Sequence, residues 1–432
     1  MKVIQKTHSI CDQCLKKVPA KTLEIDSRIF IEKDCPVHGK SRSDHFWDDP
    51  EIYKFLQSIE TIKSRPAHLA LVLTYKCNLE CSICFANANR INVPDFSIDD
   101  LEKTKKYKLV FLSGGEPTVL PDLPKIINKL RKNGQLPVVL SNGLKLANKK
   151  YVKLLKKAGL RYVRMQLDTL NDENIKYFRG RNLLRNKLTA IKNMEECDLP
   201  ISVCTVVIKK NMPDLGKLFR FVLNHANIKT ISLNPLRRAG RFKEEDFVPS
   251  SKIVEKASKI LGISKNDWLE TTRFLINLDK LLFLINRKRS RYFSPCKLKC
   301  HILPYRQSGI PINKIFNVVK ISEKIEGIYP RKNKLKLIAL GFYFVINEII
   351  INFFTNKYFR LLAFRTIKNL PYLFRRKYIL FNPFHFFTIS VFPVKRDIDF
   401  DFVRKCNFHG VSSGDLSFQP ACIQRIFEVK DE

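Results

Sequence analysis

The chain has 432 residues and 45% apolar content, too long for one small domain and too rich in core-forming side chains to be disordered. Its 78 lysines and arginines against 41 acids leave a formal charge of +37, which suits an anionic partner (nucleic acid, an anionic membrane surface or a phosphorylated substrate) or reflects a Lys-, Ile- and Asn-rich genome. Met1 to Ile10 is polar and carries no apolar leader core, which predicts a cytoplasmic protein whose twelve cysteines stay reduced and serve metals or catalysis.

Residues 1–64 are charged and turn-rich, with Cys11 and Cys14 in a C-x2-C pair followed by Cys35 and His38. Those donor types at that spacing predict a small module stapled by one tetrahedral ion, a mononuclear Fe or Zn. His38 can equally be a surface histidine.

From residue 65 to about 255 apolar runs alternate with amphipathic basic segments. The runs Leu69–Thr74, Leu109–Leu112, Pro137–Leu140, Tyr162–Leu167, Ile201–Val207 and Thr230–Leu233 read as strands. Between them Leu123–Asn133, Tyr151–Ala158, Leu183–Glu196 and Asp214–His225 read as helices. Six such alternations predict an α/β fold with a parallel sheet, either open or a partial (β/α)6 TIM-like barrel, with ligands gathered at the carboxyl ends of the strands.

Two motifs fall at those strand ends. Cys77, Cys81 and Cys84 form C-x3-C-x2-C directly after the first strand. Three thiolates can hold three irons of a cubane and leave the fourth iron open for a small molecule, whereas a structural site closes its shell with four ligands. After the second strand comes Gly114-Gly115-Glu116-Pro117, where two glycines would let backbone approach a ligand closely and Glu116 could meet an ammonium group. No Walker motif and no G-x-S-x-G elbow occurs.

In this pairing the chain resembles the radical S-adenosylmethionine (SAM) superfamily, whose cysteine triad and GGEP turn it repeats in order; Phe85 matches the aromatic residue often found after the third cysteine. The resemblance implies a [4Fe–4S] cluster on Cys77, Cys81 and Cys84, SAM chelated at the open iron, and a 5′-deoxyadenosyl radical that abstracts hydrogen from an unactivated carbon. It also implies an electron donor such as ferredoxin or flavodoxin. Ser141-Asn142 after the third strand, Gln166 and Asp168 after the fourth, and Asn234 after the sixth would line the SAM and substrate pocket. The residue-level alternative is that Asn142-Gly143 is an ordinary turn and Asp168 an ordinary cap.

The N-terminal cysteine set resembles the rubredoxin- or zinc-ribbon-like head of radical SAM enzymes that modify archaeal lipids or pterins. In residues 256–432, Cys296, Cys300, Cys406 and Cys422 supply enough thiolates for one auxiliary [4Fe–4S] cluster. Residues 386–424 resemble the closing segment of the branch that holds class D radical SAM methylases and tetraether lipid synthases. Where that branch closes with Pro-Phe-Cys-x-Tyr-Asn, this chain has Pro420-Ala421-Cys422-Ile423-Gln424-Arg425. Cys197 and Cys204 read as buried apolar cysteines.

The apolar run Leu337–Ile346 is interrupted by Asn347 and Glu348 before it reaches transmembrane length. With the basic, aromatic stretch from Arg360 to Tyr378, which includes Arg375, Arg376 and Lys377, it suits either the headgroup zone of an anionic membrane or a helix packed on the sheet. The resemblance therefore implies radical C–C bond formation on lipid alkyl chains. The alternatives are methyl transfer to a pterin or similar small molecule, and a basic nucleic-acid-binding protein with structural zinc; the SAM motifs leave nucleic acid as no expected partner.

Overall fold

A computed structural model describes residues 1–59, 68–285, 296–305, 308–328, 339–341, 343–371, 382–391, 397–403, 406, 408–412 and 419–420. Cys422 and the basic residues 375–377 lie outside the described residues.

The chain begins with an antiparallel meander: β1 (Lys2–Ile10), β2 (Lys17–Ile25), β3 (Arg28–Cys35) and β4 (Gly39–Asp44). β2 and β3 are joined by a two-residue turn in which Asp26 and Ser27 both take positive φ, 47° and 57°. That conformation matches the natural twist of a hairpin. In β3 Ile29, Ile31, Lys33 and Cys35 alternate inward, so one face of the meander is packed. Lys33 is 1% exposed, and Asp12, 2.7 Å away, neutralises it beside the cysteine pair. Helix α1 (Pro50–Ser58) follows, capped by Asp49, which accepts from the amides of Glu51 and Ile52.

The expected alternation is present and larger than six strands. β5 (His68–Thr74), β6 (Leu109–Gly114), β7 (Leu136–Ser141), β8 (Val163–Gln166), β9 (Ile201–Val207) and β10 (Ile228–Pro235) lie side by side and parallel. The covering helices are α2 (Leu123–Lys132), α3 (Lys149–Lys157), α4 (Asp172–Arg179), α5 (Leu184–Glu196), α6 (Leu215–Asn224), α7 (Ser250–Leu261) and α8 (Lys265–Ile285). Then come β11 (Lys297–Tyr305), β12 (Ser308–Pro311), α9 (Val318–Ile328), β13 (His385–Ser390), β14 (Phe408–Ser412) and β15 (Gln419–Pro420).

The C-terminal third builds into the same sheet. β13 pairs parallel with β10 and β14 pairs parallel with β5, while β11, β12 and β15 run antiparallel at the flanks. The order is β12-β11-β13-β10-β9-β8-β7-β6-β5-β14-β15. His68 on β5 nevertheless feels the charges of Lys297 and Lys299 on β11.

Its outer face is apolar: Leu71, Leu112, Val139, Met165, Val203 and Ile231 join the helices in one core. Burying a side chain of that kind is worth roughly 1.5–3 kcal/mol. The meander shares this core through Ile29, Phe46 and Trp47. Asp48 caps α7 by accepting from the Ser250 hydroxyl and the Ser251 amide, at 2.7 and 2.9 Å. On the other side Thr7 donates to Asp399 at 2.7 Å, and His45 lies 3.7 Å from the same carboxylate.

Candidate active site and metal centre

The loop after β5 carries Cys77, Cys81 and Cys84 at the carboxyl end of the parallel sheet, as the spacing predicts. Cys81 is buried and the other two half-buried, all within an apolar cluster with Leu79, Ile175 and Leu183. Burial pushes the Cys77 thiol up to about 12, with Glu116 and the neighbouring thiols adding to the shift. Binding iron would therefore displace a proton and place the thiolate charge on the metal.

The backbone of this loop is clamped from three sides. Asn89 accepts from the Cys77 amide at 2.7 Å, donates to the Cys77 carbonyl at 3.1 Å, and donates to Glu80. The end of α4 accepts from Ser82: its amide reaches the Phe178 carbonyl at 3.1 Å and its hydroxyl the Tyr177 carbonyl at 3.0 Å. Arg241 pairs its backbone with Cys84 at 2.9 and 3.0 Å, and its guanidinium donates to the carbonyls of Cys81 and Ala88 at 2.9 and 3.0 Å. None of these clamps uses a sulfur atom, so the thiols stay available as donors.

Gly114 and Gly115 are required by this loop. A Cβ on Gly114, whose φ is +136°, would stand 2.0 Å from the Thr74 carbonyl oxygen, and one on Gly115 would stand 2.4 Å from that of Lys76. The amides of Gly115 and Glu116 donate to those same two carbonyls at 2.7 and 2.9 Å. The two glycines thus let the turn pack closely on the entry of the cysteine loop.

Glu116 joins the two strand-end turns of the site. Its buried carboxylate accepts from the Thr118 amide and hydroxyl at 3.2 and 2.6 Å, the Ser141 hydroxyl at 2.9 Å and the Asn142 amide at 2.6 Å. With those contacts filled it ties the β6 turn, including Pro117, to the β7 turn, and burial pushes its carboxyl up. The Asn142 side chain then donates to Asn78 at 2.7 Å, which carries the connection into the cysteine loop.

The remaining strand-end residues form a second network. Arg179 donates twice to Asp168, at 3.0 and 2.8 Å, and Asp168 also accepts from the Val206 amide at 2.9 Å. Burial works against the Arg179 charge, but Asp168 and then Cys81 hold it in place. Lys187 donates to the Asn142 carbonyl and to both oxygens of Gln166 at 2.8–2.9 Å, while Gln166 donates to Asp168. Burial pulls Lys187 down to about 8. Asn234 stands apart from these groups, donating to Cys204 and to the Thr205 and Ser232 carbonyls.

Asn89, Arg179, Lys187 and Arg241 are absent from the sequence-level assignment. They lie up to 164 positions beyond Cys77 and share no spacing with it. Helix α4, which supplies two of the clamping carbonyls and Arg179, is also absent from that assignment, although the run Asn171-Asp172-Glu173 is a helix-start signal.

The N-terminal donors are brought together. One donor atom each from Cys11, Cys14, Cys35 and His38 lies within 4.8 Å of every other. Cys14 and Cys35 sulfurs are 3.9 Å apart, and His38 Nδ1 stands 3.6 and 3.5 Å from the sulfurs of Cys11 and Cys35. Tetrahedral bonds of about 2.3 Å place sulfurs ~3.8 Å apart, so the set fits one Zn or Fe ion. Backbone amides of His38 and Val37 pull the Cys35 thiol down to about 6, favouring the thiolate a metal needs.

At the other end, Cys300 is fully buried in the helix-packed core, 4.0 Å from the Thr271 hydroxyl, and burial pushes its thiol up to about 12. Cys296 is also buried and, with Cys406, acts on Lys297. Cys197 is buried, as its apolar reading predicts, whereas Cys204 is only half-buried because its sulfur accepts from Asn234 at the strand ends. No single helix among the described residues is long and apolar enough to cross a membrane.

Comparison with known proteins finds matches for both cysteine regions. Residues 71–222 match the Radical SAM superfamily and residues 3–44 the HMPTM N-terminal zinc ribbon domain. A 7,8-dihydro-6-hydroxymethylpterin dimethyltransferase of Methanocaldococcus jannaschii is 34% identical over 281 residues, 56% of this chain and 55% of that protein. An Fe-coproporphyrin III synthase of Methanosarcina barkeri is 30% identical over 177 residues, 39% of this chain and 44% of that protein. The chain thus spans about half the length of these relatives. The Streptococcus suis SuiB structure bound to S-adenosylmethionine is 14% identical, with a TM-score of 0.41 over 66% of this chain and 71% of that one. The triad and the glycine turn packed against it both lie in the matched stretch, which marks residues 71–222 of this enzyme as a radical SAM core.

Proposed function

We propose that the chain uses SAM to activate an unactivated C–H position, on a sheet that serves as a partial barrel. The observation that carries this reading is the cysteine loop, whose backbone is fixed by Asn89, α4 and Arg241 while its three sulfurs are left to the metal. When bound, a reduced [4Fe–4S] cluster supplies one electron to SAM. Cys77, Cys81 and Cys84 would hold it, and the buried charges of Arg179 and Lys187 beside them balance the thiolates.

Glu116 keeps the turns after β6 and β7 rigid around that site. The apolar cluster of Leu79, Ile175 and Leu183 keeps water from it. At the N-terminus Cys11, Cys14, Cys35 and His38 would hold a structural zinc or iron. An auxiliary cluster would draw on Cys296 and Cys406, which both act on Lys297, with Cys422; the sealed position of Cys300 argues for a packing role there.

For the substrate we favour a lipid alkyl chain. The support is the apolar outer surface between Phe344 and Ile367, which an enzyme of small polar molecules has no evident use for. Methyl transfer to a pterin is the second reading, favoured by the name of the 34% identical relative. Anaerobically reconstituted protein, given SAM, a reductant and either cell lipid extract or a dihydropterin, should release 5′-deoxyadenosine and change the mass of lipids. Methylated pterin with unchanged lipids reverses the order, and the absence of 5′-deoxyadenosine with both refutes radical chemistry.

A further inference from the structure

Residues 344–368 form a bent helical pair whose polarity is inside out. The first arm runs as a wide turn, Phe344–Ile351, into the helical turn Asn352–Thr355, and the second arm is the helix Lys357–Lys368. The two arms meet at Asn356 at an angle of 103°.

The acid and two amides of the bend, Glu348, Asn352 and Asn356, turn towards the protein. Glu348, the only acid between residues 339 and 371, is 2% exposed. It accepts from the Asn317 amide at 3.0 Å, next to the start of α9, and from Asn352 at 3.2 Å. Asn356 donates to the Lys314 carbonyl at 3.0 Å while its oxygen caps the second arm. The inner apolar side chains Phe359 and Leu362 lock the arm onto Ile312, Ile315 and Phe384.

Large apolar side chains occupy the outer face. Ile346, Ile350 and Phe353 are about half exposed, Phe354 is 75% exposed, and Phe364 and Ile367 about two-thirds exposed. An ordinary surface helix does the reverse, turning its acids and amides to water. Exposed apolar patches of this size mark an interaction surface. The bend is held by hydrogen bonds to Asn317 and Lys314, so the outward face is not an accident of a loose segment.

Charge selects the partner. Lys357, Arg360 and Lys368 are exposed on the same bend, with Lys320 and Lys324 on α9 beside Tyr343, and the whole chain carries +37. A surface of aromatic and aliphatic side chains with a cationic rim and no outward acid on the bend suits phospholipid headgroups and the acyl region just below them. The first arm, Phe344–Thr355, spans only about 18 Å at 1.5 Å per residue, and the polar inner face must stay on protein. The pair therefore lies in the plane of the interface.

We propose that the bend Phe344–Lys368 docks this protein on the surface of an anionic lipid bilayer. The docking surface goes beyond the radical chemistry and is independent of which substrate is modified. It would place the sheet within reach of membrane lipids.

The test is sedimentation of the full-length protein with vesicles of phosphatidylglycerol and phosphatidylcholine, against vesicles of phosphatidylcholine alone. The expected result is at least tenfold stronger partition into the anionic vesicles. The double variant Phe353→Ser, Phe354→Ser should lose tenfold or more, and Arg360→Glu, Lys368→Glu should lose several-fold with weaker salt dependence. Both pairs lie on the exposed surface, so unfolding temperature and bound iron should stay at wild-type level. Equal partition by wild type and the Phe353→Ser, Phe354→Ser variant overturns the proposal. So does a vesicle-free dimer that this variant converts to monomer, which would make a second copy the occupant. Lipid modification failing while vesicle binding persists refutes the substrate reading alone.

Discussion

The two cysteine sites of this chain are built in opposite ways. In the N-terminal ribbon four donors converge within 4.8 Å and little else is needed to define the site. In the parallel sheet three cysteines share one loop, and residues far along the chain hold the loop's backbone instead of its sulfurs. A site that closes its coordination shell is specified by its ligands; a site that keeps one position open must be held by everything else.

The largest effects should come from the ligands and should stay separate. Cys81→Ala should abolish iron binding at the sheet and 5′-deoxyadenosine release, with N-terminal metal retained in elemental analysis. Loss of metal at both ends would show the two sites to be coupled. Cys35→Ala should empty the ribbon and cost about 4 kcal/mol or more, as removal of a structural metal does. A lowered melting temperature with the cluster's reduced paramagnetic signal intact is the expected reading. Unchanged stability would make the ribbon ion adventitious.

The supporting residues come next. Arg179 is 8% exposed and Asp168 1%, so Arg179→Leu leaves a buried carboxylate unpaired and should cost about 3–5 kcal/mol. Arg179→Leu with Asp168→Asn should recover part of it. A single variant as stable as wild type in denaturant titration would break the claim that this pair supports the open site.

The smallest effect is acid sensitivity of the sheet. Burial pushes His385 down to about 3, and Lys229 and Arg365 add to it. A folded value below the unfolded one near 6.5 means the contribution is complete above pH 6.5 and is lost as pH falls from there towards 3. Between pH 7.5 and 5.5 that amounts to about 1 kcal/mol. His385→Asn should flatten this part of the stability profile, and a variant profile parallel to wild type would sink the assignment.

The contrast between the sites also explains what was readable beforehand. The strand Ile201–Val207 and the helix starting at Leu123 follow from local periodicity, and the two cysteine motifs follow from fixed short spacings. β13 and β14 were not separable from the surrounding aromatic, basic sequence, because their strand character depends on the edges of β10 and β5 that they join. Glu116 and its glycines were legible as a motif, but their task depends on the carbonyls of Thr74 and Lys76 and on Ser141 arriving beside them.

The sequence by itself determined the two cysteine motifs and the alternating core, because these are written in short-range spacing and side-chain chemistry. Only the tertiary structure decided that Arg241, Asn89 and Arg179 converge on the cysteine loop. It alone decided too that Glu348 turns inward while Phe354 turns out. Both outcomes depend on which face of a strand or helix meets a neighbour distant in the chain, and that is fixed by packing and hydrogen bonding, with no local signature.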